Sequence, residues 1–148
     1  MTDKSASFIY VTYIRATPEQ VFEAIIKPEI ALRYWGHANV SDDWQPGSTW
    51  KHVRASDANV VDLVGTVLEN DPPKRLVLNW SNESQQHDPD HTCIVAFDIE
   101  PALDGVKLTV THTDLQPGSG MLAGISKGWP MVLSSLKSLL ETGQGFDL

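Results

Sequence analysis

The stretch VKLTVTHTDLQPGSGMLAGISKGWPMVLSSLKSLL, residues 106–140, decides the architecture, because its period changes partway along. Val106, Leu108, Val110 and His112 alternate with Lys107, Thr109, Thr111 and Thr113, the two-residue period of a strand with one buried face. Beyond Gly118-Ser119-Gly120 the apolar residues recur every three to four positions: Leu122, Ile125, Trp129, Val132 or Leu133, Leu136 and Leu140. That is the stripe of a helix packed on one side. Pro130 has no N–H to give the carbonyl four residues back, so a kink or restart is predicted near Gly128–Pro130. Gly143 supplies a helix stop, and residues 144–148 are expected to fray.

Upstream, the pattern is one of short strands. His91 to Glu100 pairs with Val106 to Thr113 across a hairpin at Leu103-Asp104-Gly105. Thr49 to Ala55, Val60 to Asn70 and Arg75 to Ser81 read as further strands, separated by turns at Asp57-Ala58-Asn59 and Asp71-Pro72-Pro73-Lys74. Near the start, Phe8 to Arg15 is rich in β-branched and aromatic residues. Thr17-Pro18-Glu19-Gln20 then opens a helix, with Thr17 as cap, Pro18 in the first turn and Gln20 closing a capping box. Val21, Phe22, Ile25 and Ile26 form its apolar stripe, and a second short helix is expected from Pro28 to Tyr34.

The order is therefore a strand, two short helices, about five more strands and one long helix. This predicts an α+β fold in which a curved antiparallel sheet of about six strands wraps around the C-terminal helix. A curled sheet and a straight helix make incomplete contact, so a cavity is expected between them. The length of 148 residues fits a single domain, with its core over about 7–142. With 41% hydrophobic and 20% charged residues, the chain can bury a core without staples.

The formal charge of −8 and pI near 4.9 disfavour nucleic acid and anionic membrane surfaces as partners. The single cysteine, Cys93, cannot form an intramolecular disulfide. The polar start and the absence of a long apolar run point to a cytoplasmic chain without membrane insertion.

Several segments resemble, in order, the family of activators of 90-kDa heat-shock protein ATPase homologues. They are Thr17–Ala24, Arg33-Tyr34-Trp35-Gly36, Gln45–Trp50, Gly65–Glu69 with Pro72–Trp80, Leu108–Thr113, and Gly128-Trp129 with Leu133, Leu136 and Leu140. The resemblance spans about residues 7–142 and implies the helix-grip fold of the wider START-like superfamily, which includes polyketide cyclases and lipid-transfer domains. It also implies three classes of function: binding of a small molecule, cyclase or hydratase chemistry, and partnership with a chaperone ATPase. Small single-domain members of this kind look bacterial.

Strand alternation places Cys93, Val95, Phe97 and Ile99 on the face turned to the helix, together with Val106, Leu108, Val110 and His112, and with Leu76, Leu78 and Trp80. Trp35, Trp80, His112 and Trp129 are the expected cavity residues, since aromatic walls with few polar groups suit a small-molecule pocket. Trp50 and His52 stay unassigned, because their strand alternates poorly. His112 is the candidate general base, with Asp114 expected to face inward beside it; the plainer reading is a strand-end histidine bonded to a neighbour. The tryptophans likewise have core packing as their plain reading, with Trp129 the exception because its helix bridges the cavity.

His87-Asp88-Pro89-Asp90-His91 suggests metal binding, but Pro89 prevents a helix that would align the two histidines, and a polar loop fits better. Cys93 reads as core, and no oxyanion donor, Gly-rich phosphate loop or nucleophile elbow accompanies it. No cofactor and no metal are expected. The leading reading is a binding module for an unidentified apolar or amphipathic small molecule. The alternatives are an enzyme using His112, and a protein that stimulates a chaperone ATPase through its surface.

Overall fold

The computed structural model describes residues 3–86 and 88–148. Strand β1 (Ala6–Ile14) leads into helices α1 (Pro18–Ile26) and α2 (Pro28–Ala31). Six strands follow: β2 (His37–Ser41), β3 (Thr49–Arg54), β4 (Val61–Asp71), β5 (Arg75–Trp80), β6 (Cys93–Ala102) and β7 (Gly105–Leu115). Helix α3 (Gly120–Thr142) closes the fold. All seven strands form one curved antiparallel sheet in the order β1-β7-β6-β5-β4-β3-β2, as a helix-grip fold requires.

The extra strand relative to sequence expectation is β2. His37-Ala38-Asn39-Val40-Ser41 shows no clean alternation because a polar residue, Asn39, is buried. Its amide donates to Ile25 O at 2.8 Å, tying the strand to the end of α1. The capping box forms as the sequence predicts: Gln20 N donates to Thr17 Oγ1 and Thr17 N to Gln20 Oε1. Helix α2 ends at Ala31 rather than Tyr34, and a turn carries the chain to Gly36, whose φ of +77° reverses it.

The three predicted inward rows are buried along their whole length, and α3 lays Ile125, Trp129, Leu133, Leu136 and Leu139 against the same core. The helix does not restart at Pro130: it runs unbroken from Gly120 to Thr142. One lost hydrogen bond is outweighed by the buried side chains on both sides of the proline. The segment after Gly143, expected to fray, turns back instead. Phe146 N donates to Ser135 Oγ at 2.8 Å, and Gly145 lies so close to Arg33 that a Cβ there would come within 2.5 Å of its carbonyl oxygen.

Gly65 shows why one position admits no side chain. It faces Trp50 across β3 and β4, and the Trp50 indole passes over it to donate to Asn79 O at 2.9 Å. A Cβ on Gly65 would sit 1.8 Å from that same oxygen.

Candidate functional site

Helix α3 and the sheet part company along the first half of the helix. There a cleft of about 380 Å³ opens between α3 and the wall made by β2 to β5. Trp35, Trp80 and Trp129 form its apolar sides, with Trp129 centred 5.5 Å from Trp35 and 5.6 Å from Trp80. On the α3 side, Gly124 and Gly128 line the opening, and a Cβ at either would meet nothing within 4 Å. Glycine costs a helix interior roughly 1 kcal/mol relative to alanine. Two glycines one turn apart, with no neighbour that excludes a side chain, hold the cleft wide at the helix's expense.

The polar end of the cleft comes from side chains that sequence alternation did not assign. His52 is buried, and its ring stacks on His37 with centroids 4.2 Å apart and planes 6° apart. His37 Nε2 lies 2.7 Å from Asp62 Oδ2, and Arg54 donates to both Asp62 oxygens, at 3.0 and 2.6 Å. The Arg54 hydrogen bond is the main reason the Asp62 carboxyl is held down, to about 2. Burial, then the neighbouring His37, pushes His52 down to about 3, against a smaller opposing pull from Asp62. His37 and Arg54 are cross-strand partners, while Asp62 arrives from β4, so this constellation exists only through sheet register. In β3 it is the fold that buries Trp50 and His52 together, while the apolar Val53 on the opposite face blurs their alternation in the sequence.

Of the four residues expected in the cavity, Trp35, Trp80 and Trp129 come together at the cleft. His112 is fully buried behind two of them, its ring 5.0 Å from Trp80 and 6.3 Å from Trp129. The Trp129 indole donates to His112 Nδ1 at 3.1 Å. An indole N–H can only donate, so Nδ1 holds the lone pair and Nε2 the proton. Nε2 in turn lies 2.9 Å from Cys93 Sγ, and that thiol points to Trp80 O at 3.5 Å. Burial lowers His112 to about 4 and raises the Cys93 thiol to about 12. His112 is thus a neutral ring with both nitrogens committed, and Cys93 is a thiol rather than a nucleophilic thiolate.

Asp114, expected to face inward beside His112, does not. It takes φ of +60° and is exposed, and Leu115 is buried in its stead. The left-handed residue breaks the alternation of β7 near its end and turns the carboxylate away from the imidazole. In the loop before β6, His91 pairs with Asp88 at 2.7 Å in an exposed position. His87 lies outside the described residues. Among the described residues no group of three or more His, Cys, Asp or Glu is placed to hold a metal ion. No helix among them is long and apolar enough to cross a membrane.

Solved structures with this fold include the Aha1 dimer of Colwellia psychrerythraea, 21% identical, with a TM-score of 0.74 over 95% of this chain and 99% of that one. Another is CalU16 from Micromonospora echinospora, 22% identical, TM-score 0.71, covering 94% and 78%. A third is PFC0360w, an HSP90 activator from Plasmodium falciparum, 20% identical, TM-score 0.73, covering 90% and 95%. At these identities the likeness is one of fold. A comparison with curated proteins gives no significant match. The family described as Activator of Hsp90 ATPase homolog 1-like protein matches residues 15–141, nearly the whole span from α1 to the end of α3, and this chain belongs to that family.

Proposed function

We propose that this protein binds a small apolar or amphipathic molecule in the tryptophan-walled cleft. The observation that carries the reading is the cleft itself. About 380 Å³ of open space is bounded by three indoles and two histidines, and two glycines on α3 keep it open although no neighbour demands them. That volume lies within the range of small-molecule sites, as does the combination of apolar walls with a few polar groups at one end. The committed nitrogens of His112 and the outward turn of Asp114 favour binding over proton transfer at the position expected to be catalytic.

The test is a titration of the isotope-labelled protein with lipids, flavonoids and polyketide-like aromatics, read by amide and indole chemical shifts. Perturbations clustered at Trp35, Trp80 and Trp129 are expected. A flat response across the library refutes the reading.

A chaperone partner is the second reading. It is favoured by membership of a family described by that activity and by a net charge of −8 that can complement a basic surface. Its test is micromolar binding to the chaperone's middle domain.

A further inference from the structure

We infer that the cleft selects an uncharged ligand bearing a hydrogen-bond donor, a hydroxyl or ring N–H on a planar apolar frame, and that the donor bonds to His52 Nε2. The inference rests on the cleft being a ligand site, and it adds the chemistry of the ligand's polar end.

The argument runs outward from the chain's interior. The oxygen of Ile25 can only accept, so the group facing it at 2.8 Å is the Asn39 amide nitrogen, and Asn39 Oδ1 must point the other way. That oxygen lies 2.7 Å from His52 Nδ1 and can only accept as well. Nδ1 therefore carries the proton, and in the neutral ring Nε2 carries the lone pair. His37 stacks on one face of the ring and Trp35 meets it edge-on at 4.9 Å, which holds the imidazole with Nδ1 toward Asn39.

Nε2 makes no hydrogen bond among the described residues. The buried polar side-chain atoms without partners there are His37 Nδ1, Asn70 Oδ1 and Trp80 Nε1. His52 Nε2 is not one of these sealed atoms, and His52 lines the cleft, so the lone pair meets the open space. The residue is only 3% exposed, which makes this a buried acceptor aimed at a cavity with nothing among the described residues to satisfy it.

The charge balance narrows the class further. Arg54 and Asp62 are the only formally charged residues lining the cleft among those described. They neutralise one another through two hydrogen bonds, and His37 takes up Asp62 Oδ2 as well. An anionic ligand finds no free cation here, and a cationic one finds no free carboxylate. Burial keeps His52 uncharged at neutral pH, so it presents an acceptor and not a cation. The walls are flat indoles, which suit a planar frame.

The experiment compares naphthol, methoxynaphthalene and naphthoate, all substituted at the same ring position, by calorimetry and chemical-shift titration on the full chain. Naphthol is expected to bind about tenfold more tightly than methoxynaphthalene, the scale of one neutral hydrogen bond. Naphthoate is expected to bind more weakly than either. In His52→Phe the naphthol advantage should disappear while methoxynaphthalene still binds. Because the three-ligand comparison uses the unaltered protein, it stands even if that variant does not fold. Equal binding of naphthol and methoxynaphthalene at the cleft overturns the donor inference and leaves the cleft reading intact. Preferential binding of naphthoate overturns it in favour of an anion site. No binding by any probe, with the Trp35, Trp80 and Trp129 signals unmoved, overturns this inference, while the cleft reading stands or falls on the library titration.

Discussion

Acidification from pH 7 to pH 5 should destabilise this protein by about 4 kcal/mol, and two buried histidines account for the figure. His52 is held near 3 and His112 near 4, against an ordinary value of 6.5 for each. In the unfolded chain both take up a proton as the pH falls through 6.5. In the folded chain neither does until pH 4 or below. Between those limits the unfolded state binds more protons, so stability falls as the pH falls. At pH 7 the effect is barely begun. At pH 5 each histidine contributes about 2 kcal/mol of destabilisation, since each pH unit in the window is worth about 1.4 kcal/mol per group. Asp62 does not offset this. Its carboxyl is depressed to about 2, so its contribution is complete above 3.8 and is lost only below that value. A loss of about 4 kcal/mol is a large share of the 5–15 kcal/mol typical of a domain. The assay is urea unfolding followed by tryptophan fluorescence at the two pH values, repeated on His112→Gln. Glutamine can still accept from Trp129 and donate to Cys93, but it does not titrate, so about half of the pH dependence should vanish. A difference under about 1 kcal/mol between the two pH values, or an unchanged difference in the variant, would refute the burial argument.

Three further outcomes follow from named contacts. Gly128→Ala should raise stability by about 1 kcal/mol, because the position is helical and a Cβ meets nothing within 4 Å, while weakening any cleft ligand by narrowing the opening; thermal melts and a binding titration on one sample check both halves. Trp129→Phe keeps the aromatic packing but leaves His112 Nδ1 a buried acceptor without a donor, which should cost about 1–3 kcal/mol in chemical denaturation. Ser135→Ala removes the acceptor for Phe146 N, so amide exchange at Phe146 should accelerate with little change in the core strands.

The parts of this fold that were readable in advance are those in which a residue's neighbours in sequence are also its determinants. The Thr17–Gln20 capping box is closed within four residues, and the inward rows of β5, β6 and β7 follow from alternation alone. What escaped depends on something distant or on a single dihedral. Asp114 was assigned by extending the parity of β7, and one left-handed residue reversed that parity. The tail over residues 144–148 was expected to fray, and its contacts with Ser135 on α3 and Arg33 after α2 are ones that only the folded chain brings near. Pro130 was read as a kink or a restart; the restart does not occur, and the helix continues through it with Trp129 and Leu133 packed on either side. His52 escaped for a chemical reason: histidine is as acceptable on an exposed face as on a buried one, so a Trp-Lys-His alternation does not announce which face is inward.

These differences fall unevenly on the sheet, and the unevenness separates framework from site. Strands β1 and β5 to β7 present apolar residues to α3 and bury them, and Phe97, Leu108 and Leu136 could not change without opening a void. Strands β2 to β4 instead present His37, Arg54 and Asp62, which bond one another across strands, and His52, which bonds Asn39 and stacks on His37, and they leave space between themselves and α3. The first group, with the close approach at Gly65 and the cap at Thr17, sets the topology, and structures about 20% identical share the fold. The second group touches the cleft more than the core. Substitutions there should alter what the cleft can hold while the fold persists, so the proposed ligand is argued from His52 and its neighbours in this chain, and shared architecture carries no information about it.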